Sequence, residues 1–349
     1  MPDTASGRHQ HFPVDIVRRV LITLAALFVY RLASAVPILG VSVHSSHGFG
    51  FGAMERLSFM ALGILPWISA TLLAEIVNLL SPAWLRLPSV RNGHADPFSL
   101  WVVALAMLFA AVQAYGVAVA LEAMPQIVAA PGMAFRAGTI ASLVGGTALA
   151  ILLGGVISRD GIGFGFWVLW AAVGLLIIKS DVLRLVAALH QGIVSPAIAL
   201  VNAAVTIAAI AAVVGLVLTR HKQGLKAAEP LVWPIFIYAA VSPWFAVAVQ
   251  IVAGSLSEAP LAYEIVLPHR PAGAVLAIAI LLAVAGRYGR RRGGLALVIP
   301  EAAVLSAILF ASTVAPQFVA FIIPGGGYLV VMAAVATVIL TSHQIRTQP

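Results

Sequence analysis

Long apolar runs recur along almost the whole sequence, and they leave few folds open to it. Of 349 residues, 62% are hydrophobic and only 9% are charged, and the mean hydropathy is +1.05. A soluble core of this size cannot hide so much apolar surface, so the sequence predicts an all-α polytopic membrane protein. A β-barrel is disfavoured, because its strands would alternate apolar and polar residues. The chain has no cysteine, which excludes disulfides, thiolate metal sites and a cysteine nucleophile.

The apolar runs predict ten transmembrane helices. We place them at residues 16–39, 57–80, 97–121, 138–157, 166–178, 193–218, 230–253, 272–285, 295–315 and 325–341. The fifth is short for a full crossing unless it continues toward Leu183, and residues 179–192 are expected to form an outer loop. Most lysines and arginines lie in segments on the side of the N-terminus, which predicts that both termini are cytoplasmic.

The second run, residues 57–82, is apolar but contains Gly63, Pro66, Glu75 and Asn78. Pro66 is expected to remove a helical hydrogen bond and bend the axis. Glu75 and Asn78 are three residues apart and therefore share one helix face. Burying an ionisable group within a span costs free energy unless the group faces a partner or water. One face of this helix is therefore expected to contact protein or water rather than lipid.

Ten spans divide into two halves of five, which permits an inverted repeat. The expected organisation is a tail (1–13), an N-terminal half (14–179), a C-terminal half (180–343) and a second tail (344–349). The second and seventh spans then correspond, and both are interrupted by proline. Broken helices at matching positions mark the functional site in such architectures.

Three stretches resemble the SecY family, the channel subunit of the general protein-export machinery. LSFMALGILPWISATLL (57–73) resembles the second SecY helix, and VRRVLITLAALFVYRLASAVPILG (17–40) resembles the first. SRDGIGFG (158–165) is similar to the glycine motif between helices 4 and 5, with Phe164 in place of asparagine. The resemblance implies two inverted five-helix halves around a central pore, with a short plug at 41–56.

The resemblance also implies which residues line the pore and its lateral gate. A ring of apolar side chains would pass a polypeptide and hold back ions. The implied pore ring is Ile64, Ile68, Ser242, Gln250 and Val331, with a further member near Val173. The lateral gate would use Glu75 and Asn78, facing Ser242 and Gln250. For each set the alternative is structural: ordinary helix packing for the ring isoleucines, and a satisfied intramembrane hydrogen bond for the polar pair.

Two short basic loops stand where SecY docks a ribosome or the SecA motor. Their basic residues are Arg220, Lys222, Lys226, Arg290, Arg291 and Arg292. The alternative is that they are topology anchors near anionic lipid. The other implied partners are SecE-like and SecG-like subunits, a polypeptide substrate and membrane lipid, and the loop lengths also fit a specialised paralogue.

Two other function classes compete with a translocon subunit of the inner membrane. A secondary transporter or small-solute channel with inverted repeats would need paired charges within the membrane, and Glu75 and Glu301 are the candidates. An intramembrane enzyme is disfavoured because neither HExxH nor GxSxG occurs. No cofactor or metal is expected, and His44 and His47 are interpreted as loop residues.

Overall fold

The structure, a computed structural model, describes residues 12–41, 57–81, 90–91, 94–124, 128 and 130–222, together with positions 237, 279, 282 and 283. The chain forms two compact units, Met1–Trp170 and Ala171–Pro349. The described part is mostly helical. Its elements are α1 (Phe12–Ala33), α2 (Leu65–Leu80), β1 (Val90–Arg91), β2 (His94–Ala95), α3 (Leu100–Glu122), α4 (Met133–Asp160), α5 (Gly165–His190) and α6 (Pro196–Lys222).

Two helices in the described part of the chain, α3 and α4, are long and apolar enough to cross a membrane by length and composition. Both agree with predicted spans: α3 begins three residues after the predicted start at 97 and ends one residue after 121, and α4 extends beyond 138–157 at both ends. The structure therefore agrees with a helical membrane protein, whereas the full count of ten spans stays a prediction, because most of the C-terminal half lies outside the described residues.

Helix α3 shows how the first unit packs. Its alanines at positions 106, 110, 114 and 118 recur every four residues and are fully buried, so they form one stripe along the helix. Its large apolar residues on other faces, including Leu108 and Val112, are exposed. Helix α3 packs against both α2 and α4. A helix in lipid typically turns its small residues toward neighbouring helices and its large apolar residues toward the lipid.

Three sequence-based boundaries are wrong. The first span ends at Ala33 rather than at residue 39, because Pro37 lies in an extended segment that pairs with Ser58. The second begins at Leu65 rather than at residue 57. The expected outer loop at 179–192 is helical up to His190, since no glycine or proline interrupts the sequence between Gly174 and Gly192.

The link between α2 and α3 contains a small antiparallel hairpin. Val90 pairs with Ala95 and Arg91 with His94, and only Asn92-Gly93, a dipeptide common in hairpin turns, stands between the two strands in the sequence. Strand β2 packs against α2. Helices α5 and α6 are joined at Gly192, whose φ of +68° favours glycine.

Candidate pore-lining segment

Residues 57–64 cross the first unit without forming a helix. The amide of Ile38 donates to the carbonyl of Leu57 (3.0 Å), and the amide of Phe59 donates to the carbonyl of Val36 (2.7 Å). The chain after α1 and the chain before α2 thus pair through one isolated antiparallel bridge, between Pro37 and Ser58. Non-helical backbone at membrane depth is tolerated only where protein buries it or where it lines a cavity.

Helix α4 accommodates this segment through its glycines. A Cβ on Gly146 would overlap the carbonyl oxygen of Phe59, and one on Gly145 would lie 3.3 Å from the Phe59 ring. Small residues permit helices to approach a neighbour closely, and Gly146 is such a position. The partner is unexpected, because it is the backbone of a non-helical segment rather than another helix.

A tight turn at Gly63 starts α2. Gly63 has a φ of +48°, and a Cβ there would lie 2.7 Å from the hydroxyl oxygen of Tyr30. Ile64 is the N-cap residue and makes no side-chain capping bond. Pro66 lies in the first turn of the helix, where an amide would have no intrahelical partner in any case. The prediction that Pro66 bends a continuous helix is therefore wrong, since it begins a new one.

The two described members of the implied pore ring lie at this helix start. Ile64 is 2% exposed, and Ile68 is half-buried with its amide bonded to the carbonyl of Ile64 (2.9 Å). Val173 lies in α5 and is half-buried. Ser242, Gln250 and Val331 lie outside the described residues, so the assembly of the ring stays a prediction.

Trp67 is the side chain with the most specific surroundings in this region, and no pattern in the sequence identified it as a functional residue. It is fully buried, and its indole N–H donates to the carbonyl oxygen of Pro97 (2.8 Å). Its ring meets Phe98 edge-on (5.1 Å between centroids) and Phe166 (4.9 Å). A Cβ on Gly154 would lie 2.7 Å from its Cη2 atom. The only sequence signal was the tryptophan's position directly after Pro66.

Glu75 and Asn78 lie on one face of α2, as their spacing predicts. Both are buried, Glu75 to 1% exposure. The Glu75 Oε2 atom accepts from the backbone amide of Ala95 (2.6 Å) and from the Asn78 Nδ2 group (3.4 Å). Glu75 therefore ties α2 to strand β2. Whether the pair also faces Ser242 and Gln250 stays a prediction.

The glycine motif at 158–165 joins α4 to α5 and attaches to α1. The Thr23 hydroxyl accepts from the amide of Ile162 (2.9 Å) and donates to the carbonyl of Arg19 (2.9 Å). Ser158 accepts from the amide of Gly165 (2.7 Å). These bonds attach the loop to α1 and close its turn within the first unit.

Charged groups are few in the part of the chain that the structure describes. Glu122 at the end of α3 accepts from Arg136 Nε (2.7 Å) and from the amide of Gly132 (2.9 Å). Arg220 and Lys222 lie in the last turn of α6, whereas Lys226 and Arg290 to Arg292 lie outside the described residues. Within the described ranges, no group of three His, Asp or Glu residues is arranged to hold a metal ion.

Comparisons with known proteins agree with this arrangement. The family model described as SecY matches residues 58–337. The SecY subunit of the protein translocase from Haemophilus influenzae is 30% identical over 210 residues, covering 56% of this chain and 48% of that protein. The Rickettsia typhi subunit is 31% identical over 210 residues, covering 53% and 47%. The chain thus spans about half the length of the curated relatives that it matches.

Solved structures show the same fold at low sequence identity. A protein-conducting channel superposes with a TM-score of 0.54 at 13% identity, covering 99% of this chain and 95% of that one. Sec61 in the canine ribosome–channel complex of the endoplasmic reticulum gives 0.53 at 13% identity, with the same coverage.

Proposed function

Because this chain belongs to the SecY family, whose model matches residues 58–337, we propose that it is a protein-conducting channel subunit. It moves polypeptides across the cytoplasmic membrane or inserts them into it. Its pore is central, its gate opens sideways toward lipid, and it uses no chemistry of its own.

The observation that carries the proposal is the interrupted second span. Residues 57–64 are non-helical and held by protein, and α2 begins only at Leu65 with the Pro66 turn. The helix has 16 residues, about 24 Å, which is shorter than a bilayer core of about 30 Å. A half-helix that begins within a membrane protein is the arrangement by which such folds line a central path.

The proposed seal is the ring of Ile64, Ile68, Ser242, Gln250 and Val331. Ile64 and Ile68 lie one turn apart at the start of α2 and therefore share a face. Apolar side chains in a narrow constriction exclude water when the pore is empty and yield to a passing chain. The ring holds two polar members, Ser242 and Gln250, which would make the constriction wetter than an all-apolar one.

The proposed lateral gate runs along the buried face of α2 that carries Glu75 and Asn78. Polar contacts across such a seam must separate when it opens, so they set how readily it opens. The bond from Ala95 to Glu75 supports a coupling between this face and the α2–α3 link.

Both termini are proposed to be cytoplasmic, with SecE-like and SecG-like subunits as partners. The basic residues Arg220, Lys222, Lys226 and Arg290 to Arg292 would contact the SecA motor or a ribosome. Arginine and lysine suit both an acidic protein surface and ribosomal RNA.

Reconstitution tests the proposal directly. The full chain and a SecE-like subunit from the same organism are placed in liposomes with SecA, ATP and a secretory precursor, and protease-protected precursor is measured. We expect protection that depends on ATP and on the signal sequence. Ile68→Asn should raise ion leak through the resting channel, whereas Ile68→Leu, which keeps the site apolar, should not.

The opposite result has a clear meaning. If no precursor is protected and Ile68→Asn leaks no more than Ile68→Leu, the channel proposal is wrong. A transporter would instead show solute uptake that Glu75→Gln abolishes. In the structure Glu75 is bonded to a backbone amide of its own unit, and this does not favour the transporter.

A further inference from the structure

The start of α2 has few means of fixing its own rotation. The N-cap residue Ile64 makes no side-chain capping bond, and Pro66 in the first turn has no amide hydrogen. The preceding turn at Gly63 adopts a backbone conformation open to glycine. Some other contact must therefore determine where the first turn of α2 points.

Trp67 supplies that contact. Its indole is fully buried and is fixed at one edge by the 2.8 Å bond from its N–H to the carbonyl of Pro97. Phe98 and Phe166 meet the ring edge-on. On its third side the indole lies so close to Gly154 that a Cβ at position 154 would not fit. A side chain held on three sides has one orientation, and it transmits that orientation to the helix backbone.

The geometry of a helix relates Trp67 to the proposed ring. At 3.6 residues per turn, positions 64 and 68 lie about 60° and 100° around the axis from position 67. Side-chain tips lie about 5–6 Å from the axis, so a helix rotation of about 20° would move the ring tips by about 2 Å. That displacement approaches the 2.8 Å diameter of a water molecule, about twice the usual 1.4 Å probe radius.

We propose that Trp67, seated against Gly154, is the positioning residue that sets the closure of the pore ring by fixing the rotation of α2. The proposal rests on the proposed channel function. Trp67 does not line the pore; it acts through Ile64 and Ile68. The aromatic contacts of Phe98 with Phe164 and of Phe166 with Trp167 extend the support of the indole into the α4–α5 connection.

The test measures chloride and potassium efflux from liposomes that contain the resting channel without precursor. Trp67→Ala removes the anchor, and Gly154→Ala displaces the indole from the other side. Minor conformations are commonly populated at up to about 10%, so if freeing the helix makes the rotated conformation the main one, efflux should rise by about tenfold. Leu143→Ala is the control: this fully buried leucine lies in the same helix as Gly154, about 16 Å away along it, and its truncation should lower thermal stability without raising efflux.

A paired substitution separates positioning from general damage. The outer indole atoms Cη2 and Cζ3 are those nearest a Cβ at position 154, and phenylalanine lacks them. Trp67→Phe combined with Gly154→Ala should therefore leak less than Gly154→Ala alone, although both residues are altered. A purely structural role predicts that efflux follows thermal stability in every variant, including Leu143→Ala.

Two results overturn the proposal and are distinct from failure of the channel function. Suppose that Ile68→Asn raises ion efflux but that Trp67→Ala and Gly154→Ala show the efflux of the unaltered chain. The ring then exists, but Trp67 does not position it. If Leu143→Ala leaks as much as they do, the effect is loss of stability. If Ile68→Asn also seals and no precursor is translocated, the channel proposal itself fails. If Trp67→Ala does not fold, the efflux of Gly154→Ala compared with that of the Trp67→Phe, Gly154→Ala double variant tests the same proposal.

Discussion

Gly146 offers a sharp test of how the non-helical residues 57–64 pack on α4. A Cβ added there would overlap the carbonyl oxygen of Phe59, lie 3.1 Å from its carbonyl carbon and 3.4 Å from the Met60 sulfur. Two of these atoms belong to backbone, which cannot rotate away as a flexible side chain would. Gly146→Ala should therefore force the segment and the helix apart.

The expected free-energy change has two opposing parts. Overpacking costs about 1–3 kcal/mol, whereas replacing glycine by alanine within a helix favours folding by about 0.8–1 kcal/mol. The net result should be a loss of up to about 2 kcal/mol. Gly138 provides the matched control, because it lies in the same helix and nothing is within 4 Å of its added Cβ. Gly138→Ala should be neutral or stabilising by up to about 1 kcal/mol.

The measurement is the midpoint of thermal unfolding of each purified variant in the same mild detergent. The expected order is Gly138→Ala highest, the unaltered chain next and Gly146→Ala lowest, a spread of several degrees. Equal midpoints for the two alanine variants would refute the close approach of Phe59 to α4. They would also remove the packing argument for the interrupted second span.

Two further predictions use the same stability measurement. Glu75→Ala leaves the buried amide of Ala95 without its acceptor and should cost about 1–3 kcal/mol; Glu75→Gln keeps an acceptor and should cost less, so equal losses would contradict the bond. Thr23→Val removes the acceptor of the Ile162 amide and should cost about 1–2 kcal/mol. Thr139→Val should instead be neutral or stabilising, because the buried Thr139 hydroxyl has no hydrogen-bond partner among the residues that the structure describes.

Much of the candidate site could be predicted because its signals are local. The motif around Pro66 identified Ile64 and Ile68 as neighbours at a helix interruption, although it misplaced the interruption as a bend. The spacing of Glu75 and Asn78 predicted a shared face, and the bond between them confirms it. In each case the residues involved are within one or two helical turns of one another.

The sequence by itself determined that this chain is helical and membrane-embedded, since hydropathy is a property of each segment alone. Only the tertiary structure decided where α2 begins, because Leu57 and Phe59 pair with Ile38 and Val36 across some twenty residues of chain. It also decided that Glu75 bonds Ala95 and that the Trp67 indole fits against Gly154, 87 positions further on. Such contacts depend on how separate helices pack, and no local pattern of residues specifies that packing.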